Sequence, residues 1–104
     1  MKISVLLPYK ENFSSKYAGA VSLFVKDTIQ NSQFLKSTYV FGNMSFNKPF
    51  LKNYINIDLK KNLLQSNSKN YVLKFLEKEK KINSDIIEIH NRPHYIKYLK
   101  NIER

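Results

Sequence analysis

A chain of 104 residues with 18 basic and 8 acidic side chains and no cysteine excludes several classes at once. It is one domain at most, it holds no disulfide and no thiolate metal site, and with 42% hydrophobic and 13% aromatic residues it is too apolar for a disordered tail. No apolar run reaches the roughly 18 residues of a membrane-crossing helix.

The opening MKISVLLP has one lysine and a short apolar run without a small-residue cleavage site, so it reads as a strand and not as a signal peptide. Its lack of polar alternation fits a strand covered on both faces. Residues 9–18 form a polar loop. From Gly19 the period changes: Val21, Phe24, Val25, Thr28 and Ile29 mark one face of a helix that closes at Asn31 and Ser32. The β-branched and aromatic run STYVF over 37–41 is a second strand, stopped by Gly42 and Asn43. An irregular loop containing Pro49 follows. Residues 54–59 alternate, with Ile55, Ile57 and Leu59 on one side, as in a short third strand at an edge. Ser66, Asn67 and Ser68 offer N-caps for a second helix, whose apolar stripe is Tyr71, Val72, Phe75 and Leu76, while Lys74, Glu77, Lys78 and Lys81 face water. Residues 85–89 are a fourth strand. Pro93 suits the first turn of a third helix carrying Tyr95, Tyr98, Leu99 and Ile102 on one face.

The order β-α-β-β-α-β-α argues for a mainly parallel four-stranded sheet between helix layers, with right-handed crossovers. It amounts to one half of a doubly wound domain, a partial Rossmann-like α/β fold over residues 1–104, and its open edge calls for a partner. In such sheets ligands lie beyond the carboxyl ends of the strands. Two segments occupy those ends. The first is the loop over 8–20, where Gly19 allows close backbone approach and the helix start offers free N–H groups to a phosphate. A single glycine without a G-x-G-x-x-G pattern is equally compatible with helix-to-sheet packing. The second is His90-Asn91-Arg92-Pro93-His94 after the fourth strand. His90 can donate or accept, Arg92 offers a planar fork for phosphate or carboxylate, and Asn91 can satisfy turn backbone. Two histidines four apart with no third ligand give poor support for a metal.

The net charge of +10 points toward anionic partners. Sixteen of the eighteen basic residues are lysine, and they are spread along the chain; only Lys78-Glu79-Lys80-Lys81 clusters, at a helix end where cations offset the dipole. Charge alone therefore does not carry nucleic-acid binding. The alternative of a small basic α/β module for RNA or DNA rests on seven tyrosines and seven phenylalanines interleaved with lysines, although Phe24, Tyr71, Phe75 and Tyr95 sit on stripes with the pattern of a core.

The segment DIIEIHNRP over 85–93 resembles a motif of bacterial family 4 glycosyltransferases. The strand KISVLLP, the polar loop and Gly19-Ala20-Val21-Ser22 opening a helix are similar to the N-terminal domain of that group. The resemblance implies half of a two-domain glycosyltransferase B-type fold. In it, an acceptor-side N-terminal domain faces a donor-binding C-terminal domain, and a sugar passes from a nucleotide-sugar to a sugar or lipid-linked acceptor with retention and without a metal or other cofactor. It implies His90 near the transferred sugar, with Gly19 and Ala20 near the donor phosphate and Asn91 and Arg92 as neighbouring substrate-binding residues. Relatives often have paired glycines followed by a glutamate; here the stretch is Ala18-Gly19-Ala20-Val21. The donor-binding half is expected to be absent from the chain, which is then inactive alone. The expected setting is the cytoplasm, with the basic surface against the inner membrane face.

Overall fold

The computed structural model describes residues 1–45, 48–59 and 67–90. Four strands and two α-helices alternate: β1 (Ile3–Leu6), α1 (Ala20–Gln30), β2 (Thr38–Gly42), β3 (Tyr54–Asn56), α2 (Asn67–Ile82) and β4 (Ile86–Ile89), with a 3₁₀ turn at Leu35–Ser37 ahead of β2. All strand pairs are parallel and the order is β3-β2-β1-β4. The expected third helix, with Tyr95, Tyr98, Leu99 and Ile102, lies outside the described residues.

Strand β1 is central because nearly every side chain in it is apolar. Val5 and Leu7 join Phe13, Val25, Ile29, Val40 and Met44 on one face of the sheet. Leu6 joins Phe41, Ile57, Tyr71, Val72 and Phe75 on the other. The α-helices therefore cover opposite faces, α1 the first and α2 the second. Phe50 and Leu51, from the β2–β3 connection, pack on the α1 side. Ile55, Ile57 and Leu59 all turn to the α2 side, as their alternation requires. Strand β3 is shorter than its pattern, but the ladder continues: Ile57 N–H donates to the Gly42 carbonyl at 2.7 Å.

One sequence-based expectation changes. The buried stripe of α1 is Ser22, Val25 and Ile29, and Phe24 is 62% exposed. The helix crosses the sheet rotated toward Ser22, whose small side chain allows close approach. Strand β4 is an edge, with Ile86 and Glu88 exposed and Ile87 and Ile89 half-buried, so its apolar character is only half used.

At the amino-terminal rim a buried polar knot ties α2 to the sheet. Glu79, read from sequence as part of the charged cluster at the helix end, is fully buried. Its carboxylate accepts the Ser84 N–H at 2.9 Å, and the Ser84 and Ser4 hydroxyls share a short hydrogen bond. Asn83 adopts a left-handed conformation with φ 54°, which asparagine tolerates at a helix end. Asp85 then turns back to β1, where its carboxylate accepts the Lys2 N–H at 2.8 Å.

Candidate functional site

Because the strands are parallel, their carboxyl ends share one rim. The β1–α1 loop and the residue following β4 both belong to it, as β1 and β4 are hydrogen-bonded neighbours in the register Leu6 to Ile89. His90 extends that ladder, its N–H reaching the Leu6 carbonyl at 3.4 Å. Asn91 and Arg92 lie outside the described residues.

The His90 side chain points to the α1 face of the sheet. Its ring lies 6.2 Å from the Phe24 ring in an edge-on arrangement, and its Nε2 is 3.7 Å from Glu88 Oε2. The imidazole is 24% exposed, while Nε2 itself is covered and has no hydrogen-bond partner among the described residues. Phe24, on the second turn of α1, is therefore a wall of the site and not a core residue. Only its exposure and its ring contact disclose this; helical periodicity assigned it inward.

Helix α1 begins at this rim. Gly19 is its N-cap, with extended backbone angles of φ −81° and ψ 170°, so left-handed geometry does not explain the glycine. A neighbour does. A Cβ at Gly19 would overlap the carboxylate of Glu11, which accepts the Ser22 N–H at 3.1 Å. The helix N-terminus that sequence reasoning offers to a phosphate is thus occupied by an anion from the chain itself, and Gly19 is small to admit it. Ala20 is the first helical residue and is exposed. Glu11 carries no sequence signal for this role, since its partner lies eleven residues away in a loop without periodicity.

The loop is also where the backbone is forced. Lys10 and Tyr17 have positive φ, 65° and 52°, and the Asn12 amide donates to the Tyr17 carbonyl at 3.3 Å. Non-glycine residues persist in that conformation only where surroundings hold them, and such positions gather at binding sites.

No protein-family model, curated protein or solved structure matches this chain. What the geometry supplies is a half-covered imidazole between an aromatic ring and a carboxylate, beside a helix start closed by a second carboxylate. Such a set can accept hydrogen bonds from hydroxyls and donate to them. Of the aromatic residues that could stack on nucleic-acid bases, Phe13, Phe41, Tyr71 and Phe75 are buried in the core. Among the described residues no helix is long and apolar enough to cross a membrane.

Proposed function

We propose that the chain is the acceptor-side Rossmann-like half of a retaining glycosyltransferase, acting opposite a donor-binding half that contributes the nucleotide-sugar. The observation that carries this reading is that two separated segments share one rim: His90, within the DIIEIHNRP stretch, and the Gly19 turn that opens α1. They are far apart in sequence; the loop that leads to Gly19 leaves β1 beside the exit of β4, and α1 reaches the imidazole through Phe24. On this reading His90 faces the sugar in transfer, Phe24 and Glu88 hold its ring, and Asn91 and Arg92 bind substrate. Glu11 occupies the first turn of α1, so the contact of Gly19 and Ala20 with a donor phosphate requires that carboxylate to move aside. The balance of +10 suits a phosphorylated or lipid-linked acceptor at an anionic membrane face.

The test is transfer from a nucleotide-sugar by the protein joined to its donor-binding half. His90→Ala should lower kcat by about a hundredfold or more, the scale of a lost proton-transfer or hydrogen-bonding group. Turnover equal to that of the unsubstituted enzyme would remove His90 from the reaction and the reading with it.

A further inference from the structure

The same rim has a second feature, two strands away from the imidazole. Beyond the ends of β2 and β3 lies an open hollow of about 670 Å³, lined by Asn43, Ser45, Tyr54, Asn56 and Asp58 among others. That volume lies within the range of small-molecule pockets, roughly 300–1,000 Å³.

Its polar groups are fixed by a chain of hydrogen bonds. Gly42 starts the chain by leaving room for Tyr54, because a Cβ there would sit 2.9 Å from the Tyr54 hydroxyl and 3.3 Å from Leu7 Cδ1. The Tyr54 ring stacks on Phe13 at 5.7 Å, and its hydroxyl donates to Asn56 Oδ1 at 2.8 Å. The Met44 N–H donates to the same oxygen at 2.9 Å. With two donors on its oxygen, the Asn56 amide turns its Nδ2 to Asp58 Oδ1 at 2.7 Å. Asp58 is exposed, and its Oδ2 has no partner among the described residues. Asn43, also in the lining, is held in parallel fashion, its Nδ2 donating to the Ile57 carbonyl at 2.8 Å.

Tyr54, Asn56 and Asp58 are oriented before any ligand arrives. With Asn43 and Ser45 also in the lining, the hollow offers a carboxylate, an amide and a hydroxyl, a set that pairs with hydroxyl groups able to donate and accept at once. Asp58 is the one carboxylate among the described lining residues and disfavours an anion. Among the described residues no three His, Asp or Glu side chains are grouped to hold a cation. From this network we infer that the β2–β3 hollow is a binding subsite for a neutral polyhydroxylated group, a sugar ring, with Asp58 accepting from its hydroxyls.

The inference rests on the sugar-transfer reading and places the subsite within it. Neighbouring strands are about 4.8 Å apart, so the ends of β2 and β3 lie roughly 10–14 Å from the end of β4. A ring in the hollow is therefore not the ring that reacts at His90. It is a more distant unit of an acceptor carrying several linked sugars.

The experiment is a titration of the isotopically labelled 104-residue chain with methyl glycosides of glucose, galactose and mannose and with maltose and cellobiose, read by amide chemical shifts. Saturable shifts are expected at Met44, Ile57 and Asp58 with at least one of these sugars. Asp58→Ala should weaken that binding by about tenfold or more, the effect of a lost hydrogen bond to a charged group; the side chain is exposed, so the fold is retained. Absence of saturable shifts with every sugar, or equal affinity in Asp58→Ala, would overturn the subsite. Shifts confined to Tyr9, Lys10, Glu11 and His90 would do the same while leaving the proposed function intact. Conversely, transfer undiminished by His90→Ala would end that function and leave sugar binding at the hollow standing.

Discussion

The two rims of the sheet use one chemical device in two settings. At the amino-terminal rim the Glu79 carboxylate accepts a backbone N–H from Ser84, and both residues are buried. At the carboxyl-terminal rim the Glu11 carboxylate accepts a backbone N–H from Ser22, but Glu11 is only half-buried and the loop around it contains two residues with forced backbone. A buried acceptor cannot be exchanged for water or a ligand without leaving an unpaired N–H, so it fastens the fold. A half-exposed one can be replaced, because solvent or an incoming group can take over its hydrogen bond. The difference teaches that burial, and not residue type, separates a fastening carboxylate from one at a site.

Removing Glu79 should break this comparison most severely. Glu79→Ala removes the buried acceptor of the Ser84 N–H, and should cost about 2–3 kcal/mol in urea unfolding. Glu79→Gln, which keeps an acceptor oxygen, should cost clearly less. If both variants unfold at the midpoint of the parent, the knot does not fasten α2 to β1. Glu11→Ala removes the equivalent group from the opposite rim and should cost only about 1 kcal/mol, the usual loss for a helix N-terminal acceptor that water can replace. A cost as large as that of Glu79→Ala would erase the distinction between the rims.

The smallest effect concerns Tyr54, also at the carboxyl rim. Burial of its hydroxyl, with the nearby Asp58 charge as a lesser cause, holds its pKa well above the ordinary tyrosine value. A phenol whose folded pKa is raised stabilises the fold fully below the unfolded value, about 10, and loses that contribution as pH rises beyond it. Stability should therefore fall with pH above about 10, and Tyr54→Phe should flatten that part of the profile. An identical alkaline slope in parent and variant would show that Tyr54 ionises as freely folded as unfolded.

Much of the architecture was legible in the residues. The apolar run of β1, the β-branched run of β2, the alternation at Ile55, Ile57 and Leu59 and the stripe of Tyr71, Val72 and Phe75 each carry their own period, and the structure keeps all of them. The glycine-led start of α1 was legible as well. The reason for the glycine was not: it makes room for Glu11, a contact between a loop and a helix end that no local pattern encodes. Phe24 was misplaced because a wide apolar stripe leaves the rotation of a helix undetermined, and packing on the sheet chose Ser22 instead. The burial of Glu79 was not legible, because a carboxylate among lysines carries no inward signal until a chain turn brings Ser84 to it.

The sequence by itself determined the alternation of strands and helices and the identity of the apolar core, since both follow from the period of side chains along the backbone. Only the tertiary structure decided which polar groups are buried, which carboxylate meets which N–H, and that His90, Phe24 and Glu88 converge while Tyr54, Asn56 and Asp58 form a separate network. Those outcomes depend on distances between segments remote in the chain, and the parallel pairing of the strands sets those distances.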